Sequence, residues 1–209
     1  MSDMVRQNFY RGENKNADEI NMILSQKLGA ISDWPFYAQA LAEAIHEGQV
    51  DKSGQPYIDH VRRVVARTQE LLERHHPKIT VDLARLHHEM ISVAWLHDVI
   101  EDDPDLSFKH FNYMTSWGWG VQRVPWMVMV LSRSEQNGRT YQEYIENIGK
   151  FEGTGERFGA SSGRPLHLVK LADLWDNRGR GGIPKSLEKR YDRAIDTLRE
   201  SNKEEVCSV

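Results

Sequence analysis

YIDHVRRVVARTQELL, Tyr57 to Leu72, is the stretch whose spacing decides the fold. Val61, Val64, Val65, Leu71 and Leu72, with Thr68 between them, return every three or four positions. A helix turns once in about 3.6 residues, so these side chains form one apolar stripe with the charged residues opposite. The spacing predicts an amphipathic helix here. Working outward, Ala17 to Leu28, Pro35 to His46 and Asp82 to Ile100 carry the same pattern. Shorter helices are expected over Phe108 to Thr115, Val121 to Leu131, Tyr141 to Ile148, Leu166 to Asn177 and Leu187 to Leu198. Strand-like alternation is scarce, which predicts an all-α fold: a single compact bundle of about eight to ten helices.

Composition narrows the class. A chain of 209 residues, 39% hydrophobic and with six Trp, can bury a sizeable core as one domain. Its net charge of −4 gives no overall attraction to nucleic acid or to an anionic membrane, so neither is an expected partner. No apolar run approaches a membrane span, and Met1 to Arg11 lacks a signal-peptide core. The single Cys207 excludes a disulfide framework and fits a cytoplasmic setting. Trp117, Trp119 and Trp126 are expected in the core or in a contact between subunits of a homo-oligomer.

Just before the deciding helix, Asp51 to Pro56 contains Ser53, Gly54 and Pro56, a turn signature. It leads into Tyr57 and places His60 in the helix's first turn. Farther on, His97-Asp98-Val99-Ile100-Glu101-Asp102 puts one imidazole and three carboxylates at the end of an apolar helix. On a continuous helix His97 lies over Glu101, and Asp98 over Glu101 and Asp102. Buried charge is costly unless it is paired or bound to a metal. The dull alternative is a capped, salt-bridged helix end.

The third motif, Lys170 to Arg178 (KLADLWDNR), sets Asp173 and Asn177 four apart on one face. His60, His97, Asp98 and Asp173 would bring two nitrogens and two oxygens from three helices. Mixed nitrogen and oxygen donors suit manganese, iron or zinc better than magnesium or calcium, and cobalt takes such donors too. The lack of cysteine donors argues against a closed structural zinc site.

HEGQVDKSGQPYIDH (His46 to His60), HDVIED (His97 to Asp102) and KLADLWDNR (Lys170 to Arg178) resemble, in order and spacing, three motifs of the HD-domain phosphohydrolases. Within that family they are most similar to the RelA/SpoT hydrolase domain and its small stand-alone relatives. The resemblance covers about Ala38 to Arg178. It implies a helical HD domain over 35–200, with a helical extension over 1–34 and a polar tail over 201–209. It also implies a Mn²⁺-dependent enzyme that removes pyrophosphate from the 3′ position of ppGpp and pppGpp. By position, His60, His97, Asp98 and Asp173 match the metal ligands, and Glu101 and Asp102 the acidic pair that activates water. Asn177 matches a nucleotide contact. Lys52, Tyr57, Lys170 and Arg178 join it as expected substrate-binding residues, with ion pairing the alternative for Lys170. His46 is expected beside the site without being a ligand.

The chain departs from the family pattern at Asp51, where an arginine that stacks on guanine is usual. Leu174 and Asp176 replace Arg and His of the usual KLADRLHN, and Val61 replaces a proline. Other HD-family reactions therefore stand beside alarmone hydrolysis: a nucleoside monophosphatase, a deoxynucleotide triphosphohydrolase or an NADPH phosphatase. A non-catalytic nucleotide sensor is the third class. Between helices, Phe151 to Pro165 holds four glycines and two serines. It reads as a solvated connector, or as a lid that brings Arg157 and Arg164 to a phosphate.

Overall fold

A computed structural model describes residues 34–51, 53–75, 81–102, 123–133, 139–151 and 166–206. The expected helices over 17–28 and 108–115, Lys52, Trp117, Trp119 and the glycine-rich 152–165 lie outside these residues. The described chain is all-α and compact. Its helices are α1 (Trp34–Ile45), α2 (Tyr57–His75), α3 (Val81–Leu96), α4 (Val99–Asp102), α5 (Arg123–Leu131), α6 (Tyr141–Gly149), α7 (Leu166–Gly179) and α8 (Lys185–Val206). Seven are full helices and α4 is a single turn, so the count among the described residues falls somewhat below the expected eight to ten.

The stripe read on α2 is the face that packs. Val61, Val64, Thr68, Leu71 and Leu72 are buried, while Arg62, Arg63, Gln69 and Glu70 face outward. Each fully buried aliphatic side chain contributes about 1.5–3 kcal/mol relative to leaving it in water. α3 lies at the centre, against α1, α2 and α5, and buries Met90, Val93, Ala94 and Leu96. α7 packs on α2, α3, α6 and α8. α6 starts with a reciprocal cap: Thr140 Oγ1 accepts from the Glu143 amide, and the Glu143 carboxylate accepts from the Thr140 amide. It ends at Gly149, where a Cβ would fall 2.6 Å from Ser201 Oγ of α8. Trp126 stacks on Phe151 with ring centroids 4.8 Å apart and remains partly exposed.

Two boundaries differ from the sequence expectation. The helix expected over 82–100 stops at Leu96, and His97-Asp98 forms a turn before α4. Adjacent side chains on a helix diverge by about 100°. At this turn His97 Nε2 comes within 3.0 Å of Asp98 Oδ2. The stacking of His97 over Glu101 on one continuous helix is corrected accordingly. The last helix runs to Val206, past the expected end at Leu198. Among the described residues no helix is long and apolar enough to cross a membrane.

Candidate metal centre

The turn before α2 sets the position of His60. Asp51 Oδ1 accepts from the Ser53 amide (2.8 Å), Ser53 Oγ (2.6 Å) and the Gln55 amide (3.1 Å). The Asp51 amide donates to the Gln55 carbonyl, the Gly54 amide to the Asp51 carbonyl, and Gly54 takes φ +82°, a conformation that favours glycine. Burial acts against ionisation of Asp51, but the bonds from Ser53 and Gln55 outweigh it and hold the carboxyl below its usual range. The Tyr57 amide then donates to the Gln49 carbonyl, and α2 begins. Asp51 is thus built into its own turn.

Three distant segments meet beneath that turn. His60 on α2, His97 after α3 and Asp173 on α7 are buried, with one donor atom of each within 4.8 Å of the others. His60 Nε2 lies 3.5 Å from Asp173 Oδ1 and 3.4 Å from Asp98 Oδ2. His97 Nε2 lies 3.0 Å from Asp98 Oδ2 and 3.9 Å from Asp173 Oδ1. All four expected ligands therefore come together.

The outward nitrogens of the two rings fix how the inner ones point. His97 Nδ1 is 2.7 Å from the Ala94 carbonyl, and His60 Nδ1 is 2.8 Å from Asp176 Oδ2. A carbonyl or an ionised carboxylate only accepts, so Nδ1 carries the proton in each ring. Both Nε2 atoms then face the cluster, buried, with the Asp98 and Asp173 carboxylates as their polar neighbours. A buried nitrogen lone pair left in this state needs a proton or a cation. Two such lone pairs beside two carboxylates fit a divalent transition ion.

Other side chains hold the acids. Tyr57 Oη donates to Asp98 Oδ2, and the Tyr57 ring lies edge-on to His60 at 5.3 Å. Lys170 Nζ bonds Asp173 Oδ2 at 2.8 Å, and Asn177 Nδ2 donates to Asp173 Oδ1. Burial opposes the charge on Lys170, but Asp173 holds its pKa well above normal. Burial likewise opposes ionisation of Asp98, yet the His97 charge and hydrogen bonds from both rings hold its carboxyl well down. His97 resists protonation through burial, but Asp98 and Asp173 raise it to about 9. The protonated ring and a bound cation are alternative ways to neutralise these acids.

Glu101 stands at the rim on α4. Its Oε1 accepts from the Arg133 amide at 2.7 Å, which ties α4 to the end of α5. The carboxylate end is crowded even though the side chain is exposed overall. That partial burial and the Asp98 charge push its pKa up. Asp102 closes α4, but its side chain lies outside the described residues. His46 is buried, bonds Gln49 Oε1 through Nδ1 (2.7 Å) and lies 5.0 Å from the Tyr57 ring, in contact with the site's edge.

Tyr57, Lys170 and Asn177, expected to bind substrate, each bond one of the cluster acids. For Lys170 this is the ion-paired alternative. Arg178 turns to α8, pairing with Glu188 (2.7 Å) and Asp192 (2.8 Å), and is not brought to the cluster. Sequence reasoning missed Asp176 and its partner Arg63. The available signal was spacing, since Asp176 lies one helical step of three beyond Asp173.

No protein-family model matches the sequence, and no curated protein sequence matches it. The chemistry of the site is read from its own donor atoms.

Proposed function

We propose that the protein is a metal-dependent phosphohydrolase of the HD type that uses Mn²⁺ to release 3′-pyrophosphate from guanosine alarmones. The observation that carries this reading is the pair of buried Nε2 atoms of His60 and His97 converging on the Asp98 and Asp173 carboxylates. When bound, such an ion polarises a phosphoryl oxygen and lowers the pKa of water. Glu101, tethered to the Arg133 amide and with its proton affinity raised, is suited to take a proton from the attacking water. Asp102 is its expected companion. Lys170 and Asn177 orient Asp173, and Tyr57 orients Asp98.

The Asp51 turn favours a second reading of the substrate. A carboxylate consumed by its own loop offers no cation for stacking on guanine. The same centre acting on another nucleotide phosphate, such as the 2′-phosphate of NADPH, is the alternative.

Purified protein with Mn²⁺ is tested on ppGpp, NADPH, nucleoside monophosphates and deoxynucleoside triphosphates. Pyrophosphate release from ppGpp is expected. Phosphate release from NADPH alone would move the assignment to the second reading. Asp98→Ala should abolish Mn²⁺ binding and turnover together, whereas Glu101→Ala should keep the ion and slow turnover by roughly 10²–10⁴-fold. Turnover that survives Asp98→Ala, or no hydrolysis of any substrate by the Mn²⁺-loaded protein, sinks the proposal.

A further inference from the structure

We infer that Asp176 is a positioning residue that holds His60 as an Nε2 donor, a role that rests on the metal-centre reading above. Asp176 is buried, and its Oδ2 is 2.8 Å from His60 Nδ1. The carboxylate cannot turn away. Arg63 Nε bonds its Oδ1 at 2.7 Å, Arg63 Nη2 bonds Oδ2 at 3.1 Å, and Arg180 approaches Oδ2 at 3.4 Å through both Nε and Nη2.

Ring orientation is where this matters. A ring rotated by half a turn would exchange nitrogen for carbon at both edges, losing the bond to Asp176 and the lone pair facing Asp98 and Asp173. The Asp176 bond selects one rotamer and one tautomer, and an ionised partner also makes the imidazole a stronger donor to a cation. Asp176 stands three residues beyond Asp173, a rise of about 4.5 Å along the same helix. α7 therefore supplies an oxygen of the cluster directly and controls the opposing nitrogen from behind. Behind His97, among the described residues, stands the Ala94 carbonyl, so the two rings are held by different means.

The competing explanation is an ion pair that merely anchors Arg63 and Arg180 to α7. Mn²⁺ titrations of the full chain, read by electron paramagnetic resonance, separate the two. Asp176→Ala is expected to weaken Mn²⁺ binding about 10–100-fold. Asp176→Asn should lose less, because an amide oxygen still accepts from Nδ1–H, and it carries the test if the alanine variant does not fold. Arg63→Gln leaves the Asp176 carboxylate behind His60 with Arg180 still beside it, and should lose less affinity than either Asp176 variant. In zinc-loaded protein the His60 Nδ1 proton resonance should shift more in Asp176→Asn than in Arg63→Gln. Equal losses of affinity in Asp176→Asn and Arg63→Gln, or wild-type affinity in both Asp176 variants, overturn the inference while leaving the metal centre standing. A wild-type protein that binds no Mn²⁺ overturns both.

Discussion

Lys170 and Arg178 stand on the same helix, α7, and each holds a carboxylate at 2.8 Å, yet their surroundings are opposite. Lys170 and Asp173 are 14% and 5% exposed, while Arg178 and Asp192 are 37% and 50% exposed. At the exposed end water solvates each partner almost as well as the other does, so the pair contributes little. At the buried end each charge has already lost its water, and removing one partner strands the other. One end of α7 is thereby a surface fastening and the other a poised polar cluster. Distance alone does not separate them. Burial does.

The comparison is broken most severely at the inner end. Asp173→Ala should abolish Mn²⁺ binding and destabilise the metal-free protein by about 3–5 kcal/mol, because the Lys170 ammonium is left buried without its acid. Adding Lys170→Met should recover part of that loss, as an apolar side chain needs no partner. Urea denaturation of the metal-free variants reads both effects. A loss under about 1 kcal/mol for Asp173→Ala would mean that water screens this pair as it does an exposed one.

Arg178→Gln is the matching change at the outer end. It releases Glu188 and Asp192 of α8, both solvent-accessible, and should cost roughly 0.2–1 kcal/mol. The cost should shrink as salt is raised, since exposed charges are screened. Salt-dependent melting of wild type and variant tests this, and a salt-independent loss would point to packing instead.

The smallest effect is expected at the Asp51 turn. Its folded-state pKa lies below the ordinary aspartate value of 3.8, so ionised Asp51 favours the folded state. That contribution is complete above about pH 4 and fades as the pH falls through the lowered folded-state value. Asp51→Asn should therefore be less stable than wild type near neutrality, with the gap closing in acid. Paired denaturation curves between neutral pH and strong acid check the sign. A gap that widens in acid would reverse it.

Tyr57 to Leu72 shows how far the sequence reaches. Helical periodicity is local: each apolar residue on α2 announces its face through neighbours three and four positions away, and the buried stripe is the one so announced. The cluster candidates His60, His97, Asp98 and Asp173 were also legible, because their residue types and motif order carry the chemistry. Less legible was the break after Leu96. An apolar run into Ile100 reads as continuous helix, and the turn at His97-Asp98 appears only in the folded chain.

What the chain by itself determined is the helical class of the fold, which faces are apolar and which side chains are candidates to hold a cation. Tertiary structure alone decided that Asp176 stands behind His60 across 116 residues of chain, that Glu101 leans on the Arg133 amide, and that Lys170 turns inward while Arg178 turns to α8. The physical reason is range. Backbone hydrogen bonding and side-chain spacing act within a turn or two, whereas the direction of an imidazole lone pair and the solvation of a charge depend on whatever the fold packs against them.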